Sequence, residues 1–572
     1  MTSSTLITSW LLSFTATAGR RYAGAYSPDD TYSLISQCTS SYNASSTAPA
    51  LKCPQTAGST EMLIPKEWLL DGGDVSSTWK EDAFGLRDHV SVYFDLWWKG
   101  CNPGYGVWTM ASCIGEDVAA VARAGYKITI SPGMHHAPQY CFTRYDAYWR
   151  NAKGRTLHPS EFDMGCNLVF YPEARAMVRN YYAKIRERLQ EINATLSVMR
   201  IGFAQTGEFN YPLSNVGDGY WAFGPNGSAL PGYPLGSFRP GHRSDYATAK
   251  KFIAWYLEAL AVAQNELASY VLELFPSASP AMLYPNLESL YPDVAAETSK
   301  LADGDTTESG VSRGWVRSLL IPRLADVKIA GKMLAWSTSA MTGEQRFHTL
   351  DMMQRFSVFS NARAAAGSPS INLAAEDEGG TIHNLTQLMT YLGYAHPNRP
   401  SLLFFCCMTL PYAGMYDNLY KLVTAAADAF MQRSVLCYPD TLHGLDDRIY
   451  SADLSHMLRL QGDGNLVSYS TDPNHYGASP SEFWEGKVLW STHTAGHSGV
   501  HLDLETDGGA HVCLYNGSKS LLAQSNYVQC TLSGSSCEHA PHLFLAPNGT
   551  LALTTDLRSE SITLQTSSFI LL

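Results

Sequence analysis

From Met62 to about Tyr450, short apolar runs alternate with stretches of helical periodicity, and no other feature of the chain restricts its fold so strongly. Eight runs read as strands: Met62 to Pro65, Val90 to Trp98, Lys127 to Ser131, Met199 to Gly207, Ala281 to Pro285, Lys332 to Ser337, Ile371 to Glu376 and Leu402 to Cys407. Helices are expected between them over Ile114 to Ala124, Glu173 to Glu191, Ser244 to Leu274, Gly343 to Ala365 and Asn384 to Tyr394. In the third of these, Ile253, Tyr256, Leu257, Leu260, Leu267, Val271 and Leu274 recur at the spacing that puts one apolar stripe against a sheet. Strands apolar throughout are buried on both faces, as in a parallel sheet. Eight strand and helix units predict an α/β fold, a (β/α)8 TIM barrel with long loops over residues 61–450, with a doubly wound open sheet as the alternative.

The texture changes after Tyr450. Helical periodicity stops, and short strand-like runs separated by Gly, Asn, Asp and Ser predict an all-β domain over residues 451–572. Three segments within it look alike, at Leu458 to Tyr469, His501 to Tyr515 and Leu543 to Thr554, a period of roughly 40 to 45 residues that implies three similar small sheets. A second domain also follows from length, since 572 residues exceed what a single core usually supports.

The N-terminal residues point to a secretory compartment. Residues 1–18 hold an apolar stretch from Leu6 to Phe14, followed by Ala16-Thr17-Ala18, the small-x-small form of a signal peptidase site. Residues 19–60 read as a Ser/Thr/Pro-rich extension stapled by cysteines. Sequons stand at Asn43, Asn193, Asn226, Asn384, Asn516 and Asn548, which a secreted or cell-surface protein can glycosylate. The 12 Cys show no zinc spacing, so disulfides are expected in place of a metal, locally Cys38 with Cys53 and Cys530 with Cys537. No cofactor is expected, and no apolar run is long enough to span a membrane.

A barrel of this kind places its reacting groups at the C-terminal ends of its strands. Two candidate strand ends carry acids, Gln205 to Pro212 around Glu208, and Ala374 to Gly380 around Glu376, Asp377 and Glu378. Two carboxyls across one mouth suit glycoside hydrolysis, where one protonates the leaving oxygen and the other activates water or attacks the sugar. Phe209 and Tyr211 beside Glu208 would desolvate it and raise its pKa, as an acid requires.

These segments resemble the β-amylases, glycoside hydrolase family 14. Thr206-Gly207-Glu208-Phe209-Asn210-Tyr211-Pro212 is similar to that family's acid motif, and Ala374-Ala375-Glu376-Asp377 to its base motif. Lys251 to Leu257, Tyr93 to Trp98 and Ile130 to His136 resemble further family segments, all five in the family's order. The resemblance implies inverting hydrolysis of an α-glucan, with Glu208 as acid and Glu376 as base, or Glu378 in its place. It further implies that Asp95 and His135 or His136 hold hydroxyls of the terminal sugar, with Tyr211 and Asp377 beside the acids. Lys332 and Trp336 are placed among the substrate residues by position alone, while Trp97 and Trp98 are expected to pack the barrel and rim. Two family loops have no counterpart after His136 and at Ser337 to Ala340, which leaves the substrate open.

In the tail, Gln461, Asp463, Asn465, Val467 and Tyr469 satisfy Q-x-D-x-N-x-V-x-Y, the sugar motif of the bulb-type mannose-binding lectins, whose fold is a three-fold β-prism. Alternate positions share one side of a strand, so the polar members can reach adjacent hydroxyls while the valine packs beneath the ring. The second copy, at Glu505, Asp507 and Val512, and the third, at Ala546, Asn548, Ala552 and Thr554, are degenerate. The chain therefore reads as a glycosidase tethered to mannose-type glycans, with a non-catalytic carbohydrate-binding glycoprotein as the alternative. Only 16% of residues are charged, against roughly 25% in an average domain, and the net charge is −12 with no basic run, so nucleic acid is a poor partner.

Overall fold

The structure is a computed structural model. It describes residues 60–157, 164–204, 207–212, 219–230, 232–285, 294–314, 332–339, 372–377, 388, 391–392, 400–405, 415–431, 435–437, 441–443, 447–451, 454–472, 484–505, 511–519, 521–525, 542–545, 551–554, 562–564 and 569–571. The expected signal, the cysteine-stapled extension, the pairs Cys38–Cys53 and Cys530–Cys537, the helix Gly343 to Ala365, Glu378, Asp507, Ala546 and the sequons Asn43, Asn384 and Asn548 lie outside the described residues.

Eight parallel strands close into a barrel: β1 (Glu61–Pro65), β2 (Val90–Asp95), β3 (Lys127–Ser131), β4 (Leu196–Arg200), β5 (Ser279–Pro285), β6 (Leu334–Ser339), β7 (Asn372–Asp377) and β8 (Leu402–Phe404). Each pairs with its neighbours in sequence, and β1 closes the ring on β8 through Leu63 opposite Phe404. Seven of the eight runs read as strands in the sequence recur here, and the fourth, read as Met199 to Gly207, overlaps β4 only at Met199 and Arg200; the ring closes, so the barrel and not the open sheet is the fold. Helices α1 (Glu116–Arg123), α2 (Pro172–Glu191), α3 (Tyr246–Leu274), α4 (Val294–Ala302) and α5 (Met415–Met431) follow β2, β3, β4, β5 and β8. Asp245 caps α3 by accepting a hydrogen bond from the Thr248 amide at 2.7 Å, which satisfies one of the first-turn donors.

The period of two along each strand separates an inner from an outer core. Leu63, Val198, Leu283, Trp336, Ala374 and Phe404 fill the barrel interior. The intervening Met62, Ile64, Val92, Ile130, Met199 and Ala375 face the helices in a larger apolar cluster.

Beyond α5 the described residues form thirteen strands in three antiparallel sheets. The first sheet joins β11 (Arg448–Tyr450), β12 (His456–Leu460), β13 (Leu466–Thr471) and β14 (Glu485–Ser491). Two more sheets include β9 (Val435–Cys437) and β10 (Thr441–His443), so the antiparallel region starts before Ser451. Leu458, Leu466, Leu502, Leu514, Leu543 and Leu551, drawn from all three sheets, share one apolar core.

The outer face of the first sheet is covered as well. Tyr450, Met457, Val467, Tyr469 and Trp484 belong to the barrel's own apolar cluster. The Arg448 guanidinium grips both Asp428 oxygens on α5, at 2.8 and 3.0 Å, with both side chains buried.

Candidate active site

The same alternation that fills the interior also aims side chains into the barrel mouth. On β2, Tyr93 faces inward and Asp95, two residues on, opens into the mouth. On β3 the inward partner is Ser131, on β4 it is Arg200, and on β7 Glu376 follows the inward Ala374. Glu208 reaches the same place from the loop after β4, where Gly207 adopts φ +79°, a turn that suits glycine. The Glu208 carbonyl accepts hydrogen bonds from the Phe203 and Ala204 amides at 3.1 and 3.0 Å, which fixes the loop.

Arg200 is the hub of the site. Its Nη1 donates to the Tyr93 hydroxyl at 2.8 Å, and its guanidinium lies 5.1 Å from the centre of the Trp336 ring. Its positive charge acts on both Asp95 and Glu208. Arg313, brought in by the segment after α4, is a second, partly buried cation whose charge reaches Glu208.

Burial pushes the Glu208 pKa up to about 7, although the residue as a whole keeps partial exposure. Opposing that shift are the charge of Arg313 and a hydrogen bond from Asn210 Nδ2 to Glu208 Oε2 at 2.6 Å, while the negative charge of Glu376 adds to it. Desolvation also raises the Asp95 carboxyl, offset by a hydrogen bond from Ser131 and by the charges of Arg200 and His136. Glu376 is 8% exposed. The mouth thus holds one carboxyl poised to be protonated near neutrality and a second close enough for its charge to be felt.

A cleft of about 750 Å3 runs outward from the mouth, bounded by Tyr93, Asp95 and Phe404 on the barrel side and by Trp68, Cys113 and Asp117 beyond. The disulfide Cys101–Cys113 braces the segment that supplies Cys113 to this cleft, and Cys141–Cys166 ties together the segment between β3 and α2. Among the described residues no group of His, Cys, Asp and Glu could hold a metal ion.

Several expected site residues lie elsewhere. Tyr211 is fully buried, stacked at 3.8 Å on Tyr256 and donating its hydroxyl to the Tyr256 carbonyl, so it supports the acid loop from behind and is not open to substrate. Lys332 precedes β6 at the N-terminal end of the barrel, away from the mouth, and its ammonium is bonded to the Pro276 carbonyl. Trp336 is an interior filler beneath Arg200, with its ring edge-on to Phe404 at 5.7 Å. His135 and His136 do sit at the rim, ring to ring at 4.1 Å, and Asp377 ends β7 opposite Ser339. Arg200 and Arg313 were absent from the expected set. Arg200 was detectable as a charge at an inward position of an apolar strand, whereas Arg313 carries no local signal.

In the tail, Gln461 Nε2 donates to the Tyr469 hydroxyl at 2.7 Å and Asp463 is exposed, but Val467 and Tyr469 are buried. Their face of β13 is the one turned to the barrel's apolar cluster, so the turn half of the motif is accessible and the strand half is covered. Asn193 and Asn226 are exposed and Asn516 is partly so.

No protein-family model matches the sequence, and no curated protein does. Solved structures with similarity to the chain include a catalytic mutant of Gan42B, a GH42 β-galactosidase from G. stearothermophilus, at 11% identity over 66% of this chain and 57% of that one, with a TM-score of 0.39. A β-galactosidase from Marinomonas ef1 gives 12% identity over 65% and 62%, TM-score 0.37. Endo-glycoceramidase II from Rhodococcus sp. gives 11% identity over 73% and 89%, TM-score 0.34. The alignment spans less than two thirds of the length of either β-galactosidase. At this distance the likeness assigns neither family nor substrate.

Proposed function

We propose that the barrel is a glycoside hydrolase, with Glu208 protonating the leaving oxygen and Glu376 acting as the second carboxyl, the general base of an inverting reaction on an α-glucan or related polysaccharide. The observation that carries this reading is the Glu208 carboxyl, lifted to about 7 by burial inside a barrel mouth that also holds Glu376 and Asp95. A carboxyl with that pKa keeps its proton near neutral pH and can deliver it, while a neighbouring ionised carboxylate serves as base. Arg200, by its charge, and Asn210, by its hydrogen bond to Oε2, temper the rise at Glu208 without cancelling it. Asp95 and the His135–His136 pair supply the groups that take sugar hydroxyls.

The tail is read as a β-prism lectin that tethers the enzyme to mannose-type glycans and raises the local substrate concentration. Its support is the complete five-residue motif with Gln461, Asp463 and Asn465 at least partly accessible. The protein is proposed to act in the secretory path or at the cell surface.

The test is Glu208→Gln against a panel of α-glucans and cell-wall glycans. The reading expects a loss of at least about 100-fold in hydrolysis, the scale of general acid catalysis. Unchanged hydrolysis would reject the acid, and no hydrolysis even by the native protein would favour a carbohydrate-binding scaffold. NMR of the first-formed anomer should show inversion; retention would remove Glu376 from the base role.

A further inference from the structure

Trp97 and Trp98 are adjacent in sequence yet have opposite fates. Trp98 is fully buried, stacked on Tyr181 at 5.5 Å, whereas Trp97 is 55% exposed. Trp97 sits in extended backbone, φ −114° and ψ 107°, two residues beyond Asp95 at the end of β2. Its ring lies 4.9 Å from that of His136, and the charge of His136 acts on Asp95. The open indole, the imidazole and the mouth carboxyl therefore form one continuous surface.

That surface is built. Gly133 brings the loop after β3 against the end of β2: its carbonyl accepts from the His136 amide at 2.9 Å and the Trp98 amide at 3.5 Å. A side chain there would begin 1.7 Å from the Leu96 carbonyl oxygen, so only glycine permits this approach. The rim holds other exposed apolar groups, Tyr105 and Val107, but the Arg144 guanidinium already covers Tyr105 at 3.8 Å. Lys99, with its ammonium 5.5 Å from the Trp97 ring, is exposed and free to swing aside.

An indole face bordered by a carboxylate and an imidazole matches an amphipathic ring, not a protein partner, since a stable protein contact needs about 800 Å2 on each side. The C–H face of a pyranose stacks on the indole while its hydroxyls reach the polar neighbours. We propose that Trp97 is the stacking platform of a sugar subsite beside the carboxyl pair, holding the next pyranose of a chain whose reacting unit lies at Asp95 and Glu208. This rests on the glycoside hydrolase reading. It makes Trp97 a residue that selects for chain length, while the acids do the chemistry.

The experiment is calorimetric titration of the catalytically silenced Glu208→Gln protein with malto-, cello- and β-1,4-galacto-oligosaccharides of one to six units. At least one series should bind, with a step in affinity when the added unit reaches Trp97. Trp97→Ala in the same background should lose that step, about 3- to 10-fold, while monosaccharide binding is unchanged. Trp97→Phe should restore most of it. Because the side chain is exposed, the thermal midpoint should not move, which separates lost stacking from lost folding. If Trp97→Ala keeps the full step, the platform is wrong and the glycosidase reading stands. If no series binds the Glu208→Gln parent, that reading fails and the subsite fails with it.

Discussion

Glu208 shows how a single carboxyl can be set against the stability of the fold that holds it. Its folded pKa of about 7 lies above the ordinary value of 4.5, so the folded state binds this proton more tightly than the unfolded chain does. Stability is then highest below the unfolded value and falls as the pH rises through the folded one, by about 1 to 3 kcal/mol, the lower figure allowing for partial exposure. Glu208→Gln, which never ionises, should melt within error of the native protein at pH 5 and at a higher temperature than it at pH 8. An equal difference at both pH values would mean that the carboxyl is fully hydrated. Hydrolysis should decline above pH 7 for the same reason, as the donor loses its proton. At this scale the sequence was readable where chemistry follows local pattern: Glu208, Glu376 and Asp95 all arrive at one mouth. It was unreadable where position depends on distant chain. Tyr211 looks substrate-facing beside Glu208, yet its hydroxyl is taken by the Tyr256 carbonyl from α3, 45 residues away. Cys101 and Cys113, each the last residue of a four-residue helix, meet in a pairing that spacing alone does not specify.

At the level of elements, period was the reliable signal. Apolar runs with alternating inner and outer faces located seven of the eight barrel strands, because burial on both faces leaves few polar positions to confuse the pattern. The exception is β4. The run from Met199 to Gly207 looks like strand, but the ladder ends at Arg200, and Ile201 and Phe203 are apolar because they pack within the loop, Phe203 against Phe209 at 4.8 Å. Lys332 was misplaced by a related error, since a run beginning at Lys332 does not reveal which of its ends faces the mouth. The junction of β2 and β3 offers a clean test of element geometry. Gly133 combines φ +61° with a carbonyl oxygen 1.7 Å from where a Cβ would stand, whereas Gly106, at φ +75°, has open space around it. Gly106→Ala should cost about 1 kcal/mol of stability, and Gly133→Ala at least about 3, since backbone must move to relieve the clash. Equal melting shifts for the two variants would show that the rim is pliable.

Across the whole molecule, barrel and tail are joined through the first antiparallel sheet. The Asp428–Arg448 pair is buried and bidentate, and the aromatic face around Tyr450 and Trp484 continues the barrel's apolar cluster. Removing one partner strands a buried charge, which typically costs 3 to 5 kcal/mol. Asp428→Ala should therefore convert a single calorimetric transition into two, with the tail melting first; Asp428→Leu combined with Arg448→Met should recover much of the loss. A single unshifted transition in Asp428→Ala would show that the pair contributes nothing to the junction. The sequence marked the change of texture at this boundary but not the contact, because neither Asp428 nor Arg448 has a local pattern that names the other.

Ring closure also has a consequence in time. The Thr60 hydroxyl donates to the Pro400 carbonyl at 2.7 Å, a partner 340 positions later, and β1 has no neighbour on that side until β8 exists. A nascent chain emerging from the ribosome must carry β1 with one edge unpaired through the synthesis of seven further strands. Glu208 is made early and Glu376 late, so the mouth that joins them is among the last parts of the barrel to form. Until then the open edge is the segment most in need of a chaperone's cover.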